Sequence, residues 1–393
     1  MVSGLKIKST VLGTALLTAA MALPSLQFAN AEAAPDQGVV SFKYLHYQDS
    51  QIGDGVNVIS GASSAGSSSR MGVNAYSMTV LVPVAGEWSI GTTYTSDSVS
   101  GASPMYHSSK LTKMNDLRRA IDGELTRYFS NGTLSFGTGY SKESDYLSRS
   151  FSLQGSLSTE DKNTTFTLGG SLNSDNIFPI TNPNAYYAKK VYSSIFGITR
   201  VLTKHDIVQL DFGYSKGDGD FSDPYKLHDN RPTERNTTTI LTRWNHYFDW
   251  TDGTAKLSYR YYSDTFGIRA HTFEGEYVQP LCKGWTVTPL LRLYSQSEAD
   301  FYVPVSAVEK ADPTQQTLPP VSAVYYSEDQ RMSAFGAITL GLKVSKQLNR
   351  DWLVDVKYEE YEQRGKWSVY GKGDPGLAPF GARSIQVGLS KKF

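Results

Sequence analysis

The chain has one cysteine, Cys282, so an internal disulfide is impossible. It has six histidines, among them His46, His107, His246 and His271, and none stands in an H-x-x-x-H or Cys/His spacing. That argues against a zinc site. Walker and dinucleotide fingerprints are missing, as is a C-x-x-C-H haem attachment motif, so no cofactor is expected. Lys and Arg number 38, Asp and Glu also 38, and no basic excess points to nucleic acid. After the N-terminus no apolar run approaches the 18 residues or so that a spanning helix needs.

What is present begins with a leader. Lys6 and Lys8 give a basic start, Val11 to Leu23 is apolar, and Ala29-Asn30-Ala31 offers small residues for cleavage. Residues 1–31 read as a signal peptide and 32–393 as one domain. The leader removes two lysines and no acid, which leaves the mature chain acidic by two. The full chain's 25 Tyr, 17 Phe and 6 Trp are many for so polar a protein. A membrane β-barrel reconciles the two, because only alternate residues meet lipid and aromatics line both interfaces.

Alternation is clearest at the C-terminus. Arg383, Ile385, Val387, Leu389, Lys391 and Phe393 fall on one face, and Ser384, Gln386, Gly388, Ser390 and Lys392 on the other. Val208, Leu210, Phe212 and Tyr214 stand against Gln209, Asp211, Gly213 and Ser215 in the same way. Patterns of this kind give sixteen strands, with fourteen as the alternative count. The last four are placed at Trp285–Gln296, Arg331–Val344, Trp352–Tyr361 and Arg383–Phe393. Tight turns at Ser130-Asn131-Gly132, Thr251-Asp252-Gly253 and Asn349-Arg350-Asp351 alternate with long connections near 48–72, 96–116, 173–190, 216–236, 297–330 and 362–382. Short periplasmic turns and long extracellular loops are the habit of bacterial outer-membrane barrels. The expected fold is therefore all-β, a single antiparallel transmembrane barrel in the outer membrane. Trp88, Phe129, Phe248, Trp285 and Trp352 beside the short turns, and Tyr94, Tyr140, Tyr214 and Tyr261 toward the long loops, form two aromatic girdles.

Strand parity then assigns an inner face. Lys43, Arg118, Asp122, Glu124, Asp211, Arg260, Arg292, Arg331, Asp355 and Lys357 are expected to line the lumen, with Arg243, Glu274, Glu276, Lys343 and Glu359 among them. Both signs are present, and hydrating so many charges costs less than burying them dry. The functional expectation is a porin-like channel for small polar solutes, not an enzyme. The alternative is a surface or scaffold barrel whose long, Pro-bearing loop (Pro304, Pro313, Pro319, Pro320) captures a partner. A third reading is an outer-membrane hydrolase using Ser215 in Gly213-Tyr214-Ser215-Lys216-Gly217, which needs a strand turning into a helix. The acids Asp218, Asp220 and Asp223 resemble a calcium loop but lack the EF-hand glycine and distal glutamate. The expected partners are the lipid bilayer, lipopolysaccharide and the barrel assembly machinery. For that machinery, Ile385, Val387, Leu389 and the terminal Phe393 form an insertion signal that can pair by β-augmentation.

The segments Thr95-Ser-Asp-Ser-Val-Ser-Gly-Ala-Ser-Pro104, Tyr140-Ser-Lys-Glu-Ser-Asp-Tyr146, Ser158-Thr-Glu-Asp-Lys-Asn-Thr-Thr165 and Tyr358-Glu-Glu-Tyr-Glu-Gln-Arg364 resemble a family of Gram-negative exported proteins classed as a domain of unknown function. That resemblance implies an outer-membrane barrel and supplies no functional residues.

Overall fold

The computed structural model describes residues 33–51, 68–106, 110–180, 182, 184–226, 228–311, 315, 317–377 and 379–393. The leader lies outside these residues. Sixteen long antiparallel strands close into one barrel. The first nine are β1 (Val39–Gln51), β2 (Ser68–Val84), β3 (Trp88–Tyr106), β4 (Lys110–Phe129), β5 (Gly132–Lys142), β6 (Tyr146–Ser158), β7 (Thr164–Ile177), β8 (Tyr187–Val201) and β9 (Asp206–Gly219). After the two-residue β10 (Asp229–Asn230) come β11 (Glu234–Phe248), β12 (Gly253–Asp264), β13 (Arg269–Pro280) and β14 (Trp285–Gln296). The two-residue β15 (Tyr326–Ser327) precedes β16 (Phe335–Gln347), β17 (Trp352–Arg364) and β18 (Phe380–Lys392). β10 and β15 pair with each other above the wall.

Closure is made by β1 against β18, from Val39 opposite Lys392 to Gln51 opposite Phe380. It satisfies every edge, which lipid cannot do. Phe393 finishes the seam: its N–H donates to Gly38 O and its own O accepts from Gly38 N, both at 2.9 Å. A Cβ on Gly38 would lie 2.5 Å from the Phe393 ring, so a larger residue there would have to displace the ring.

The alternation seen in the sequence becomes two faces. Phe136, Phe151, Leu168, Leu210, Phe212, Ile385 and Val387 are exposed on one. Ser and Thr pairs lace the other, such as Thr126–Ser135, Thr133–Ser156 and Ser158–Thr165. Among the described residues no helix is long and apolar enough to cross a membrane. Hairpin chemistry explains the tight ends: Ala85 and Gly86 have φ of 52° and 72°, and Asp252 has φ of 54°.

Three expectations are corrected. Arg331 does not begin a strand. It sits in a 3-10 turn, Gln330–Met332, whose backbone Asp329 caps by accepting from Arg331 N. Short-range capping by Asp329 competes with extension there, and β16 starts at Phe335. The connections at 48–72 and 96–116 are shorter than expected, because β1 to β4 run on as long hairpins to Gln51, Ser68, Tyr106 and Lys110. Ser and Thr keep that stretch extended with no apolar face to signal it.

Candidate functional site: the charged inner face and its loop cap

Loops from one end of the barrel fold into a single cap. Tyr225, between β9 and β11, donates its hydroxyl to Asp145, between β5 and β6, and accepts from Ile180 N at 3.0 Å. Arg231 joins the same loop to Asp329, between β14 and β16, at 2.8 Å. Tyr302 of that loop donates to Asp374, between β17 and β18, at 2.8 Å. A cap reaching from the β5–β6 hairpin to the β17–β18 hairpin lies over the mouth. It rests on the wall at Tyr262, which packs against the buried cluster of Phe266, Ile268, Ala299, Tyr302 and Met332, and at Gln296, which donates to Ser333 O at 2.7 Å. The polar face to which these belong is therefore the inner one.

The cap has a small core of its own. Phe266, Ile268, Ala299, Tyr302 and Met332 are buried together, with Phe221, Phe301 and Leu377 packed around them. Phe266 takes Phe221 and Phe301 edge-on at 5.9 and 5.0 Å. Beside this core six charges balance. Asp329 is fully buried and meets Arg231, Arg331 and Lys226; Arg331 also reaches Asp223 at 3.3 Å, and Arg231 reaches Asp229 at 2.8 Å. Burial alone would raise the Asp329 carboxyl, yet Arg331, Lys226 and Arg231 hold it well below the usual carboxylate range. Glu328 next door is pushed up to about 9 by burial and then by Glu309.

A second cluster sits at the rim of β4 to β6. Carboxylate oxygens of Asp116, Glu143 and Asp145 lie within 4.8 Å of one another. Burial, then Asp116, push Glu143 up to about 8, so it carries a proton at neutral pH and the repulsion is relieved.

On the wall the register places Lys43 on β1, Arg118, Asp122 and Glu124 on β4, Asp211 on β9, Arg260 on β12, Arg292 on β14, and Asp355 and Lys357 on β17, all on the inner face. Most are paired along or across strands. Arg292 donates to Glu274 at 2.6 Å, Lys343 meets Asp355 at 3.3 Å and Lys357 meets Glu359 at 2.9 Å. Gln209 donates to both oxygens of Asp211 and accepts from Arg243. Several acids lie flat over a glycine of the next strand. A Cβ on Gly388 would come within 2.1 Å of Asp355, and one on Gly197 within 2.6 Å of Asp211. Small residues thus let the carboxylates hug the wall. Arg331 is not in this set, because it is in the cap.

Asp97 was not singled out from sequence, though it is buried and takes the Arg118 Nε on both oxygens, at 3.0 and 3.2 Å. Its sequence signal was its parity opposite Arg118 on β4. Ser215 is inside β9, and its hydroxyl is shared with Thr237. The strand runs on to Gly219 with no helix following, so the elbow that the hydrolase pattern needs is not formed. In the acidic loop, Asp220 accepts from Ser222 N while Asp223 turns to Arg331, so these carboxylates serve separate contacts. Ile385, Val387, Leu389 and Phe393, which the sequence suggests as an insertion signal, share the exposed outer face.

With this geometry in place the chain can be compared with known proteins. Residues 106–384 match the family described as "Protein of unknown function (DUF3570)". The chain belongs to this family. The stretch at 95–104, one of the four that carried the resemblance, precedes the matched residues. No curated protein matches the chain. Among solved structures it is similar to the siderophore receptor PirA from Pseudomonas aeruginosa, at 9% identity and a TM-score of 0.44, over 85% of this chain and 57% of that one. The chain thus spans little more than half the length of that receptor. It is also similar to a bacterial polysaccharide outer-membrane secretin, at 8% identity and a TM-score of 0.49, over 90% and 98% of the two chains. Pseudomonas aeruginosa OccK9 (OpdG) gives 9% identity and a TM-score of 0.44, over 91% and 98%.

Proposed function

We propose that this DUF3570 protein is exported by its N-terminal leader, resides in the outer membrane and forms a porin-like channel for small polar solutes. The inner face carries the reading: it bears charged side chains of both signs on β1, β4, β9, β12, β14 and β17, while the outer face is largely apolar. A sixteen-strand barrel has room for water, and hydrated ion pairs on its wall are far less costly than dry ones. Mixed charge implies weak ion selectivity. Lys43, Arg118, Asp122, Glu124, Asp211, Arg260, Arg292, Asp355 and Lys357 would line the path, and Arg331 would act in the cap.

Pure folded protein in planar bilayers should give discrete conductance steps with a reversal potential near zero in a salt gradient. Lys343→Glu with Lys357→Glu should shift that potential toward cation preference. If a heat-modifiable, folded sample gives no steps, the channel reading fails.

One observation favours a second reading, capture of a partner by the cap. Leu318, Val321 and Val324 are exposed on the β14–β16 loop, the same loop that gives Ala299, Tyr302 and Met332 to the buried core of the cap. Val321→Asp with Val324→Asp would abolish capture of such a partner and leave conductance intact.

A further inference from the structure

The outer face is apolar up to a level and then becomes cationic over one sector. Arg119 on β4, Lys142 on β5, Arg149 on β6, Lys190 on β8 and Lys216 on β9 are all exposed. Each lies two residues along its strand from an exposed apolar or aromatic neighbour of the outer face: Ile121, Tyr140, Phe151, Tyr192 and Tyr214. They therefore point outward. Each is also nine to eleven residues from the short-turn end of its strand. At about 3.3 Å per residue and a tilt near 40°, that is a height of roughly 25 Å, the height of the apolar band of such barrels. The five cations thus form a level belt where the outer apolar band ends.

Neighbours on the belt are close. Arg119 and Lys142 are register partners, and Ser174 alone separates Arg149 from Lys190 in the register. Among the described residues none of the five makes an ion pair. Asp218 stands opposite Lys190 in the register, and Glu234 lies beyond it on β11. The opposite sector differs. There Arg383 pairs with Glu360 at 3.1 Å and Arg364 with Glu362, so its charges are met within the protein.

We propose that this belt binds the phosphates of an anionic membrane lipid, a phosphorylated glycolipid of the outer leaflet. Five unmet cations at one height complement a planar array of phosphates, and the tyrosines just below offer amphipathic rings at the same boundary. Charge-assisted bonds to phosphate oxygens fit the arginines best, while the lysines act as point charges. The proposal rests on the membrane placement above but not on conductance.

The test titrates detergent-folded full-length protein with lipopolysaccharide, with its dephosphorylated form, with phosphatidylcholine vesicles and with inorganic phosphate. Wild type should bind lipopolysaccharide saturably and the other three weakly. Lys142→Gln, Arg149→Gln and Lys190→Gln together should weaken lipopolysaccharide binding about ten- to a hundredfold. Arg383→Gln on the opposite sector should leave it unchanged. Equal affinity of wild type for phosphorylated and dephosphorylated lipid overturns the proposal, and so does a folded triple variant that binds as well as wild type. Saturation by inorganic phosphate at the same affinity would overturn the lipid assignment. The lipid comparison on wild type decides the matter even if the triple variant fails to fold. Loss of heat-modifiability in wild type would instead indict the barrel reading.

Discussion

Glu143 shows how one side chain can set a pH dependence. Its pKa in the folded state, about 8, lies above the ordinary value of 4.5. The folded state therefore holds a proton that the unfolded chain releases between these values. Its contribution is full below about pH 4.5, declines as pH rises, and is gone above about 8. Glu143→Gln keeps the neutral shape and should flatten the fall in thermal midpoint of the detergent-folded barrel between pH 5 and 8. An unchanged slope would mean that Glu143 ionises freely. Phe393 gives the other residue-scale prediction. Its ring is largely exposed, so deleting it should cost the refolded protein only about 1–3 kcal/mol. If the terminal face is the insertion signal, the same deletion should sharply lower outer-membrane yield in cells. Equal yields would leave Phe393 a seam residue only.

At the scale of elements, turns and strands were legible where one local rule dominated. Ala85 occupies a left-handed position that costs an L-residue about 1–2 kcal/mol. Ala85→Gly should therefore raise stability by roughly 1 kcal/mol, read from a urea midpoint, and a loss would mean that the turn relaxes without strain. Trp285–Gln296 was read to the residue, because Trp285 opens it and its outer face is apolar from Trp285 to Leu293. β3 and β4 were cut short, since Ser, Gly and Thr give no contrast between faces. Arg331 was misplaced for a different reason. Charge and parity on a strand look the same as charge and parity in a turn, and what separates the two is the Asp329 cap on Arg331 N together with contacts from residues a hundred positions away, such as Asp223. The cap as a whole was invisible for that reason. The inner wall was readable because a period of two needs no long-range knowledge.

For the whole molecule, the proposed function accounts for the pattern by two solvents: lipid outside and water inside, with the closed sheet between them. The outer face ends in cation–aromatic contacts at the short-turn side, where Arg127 lies over Trp88 and Phe129, Lys346 over Trp285 and Lys391 over Trp352. Such amphipathic pairs suit an interface. The inner face keeps most of its charges paired along the wall, and on the proposed reading the centre of the barrel is left to solvent. The most direct measurement is thiol labelling in lipid bilayers on a Cys282→Ser background, with cysteine placed at Ser152 or at Leu153. The two positions are adjacent on β6 and face opposite ways. A water-soluble maleimide should label the Ser152→Cys protein rapidly and the Leu153→Cys protein hardly at all. Equal labelling of both, or protection of Ser152→Cys alone, would contradict a membrane barrel with a wetted interior.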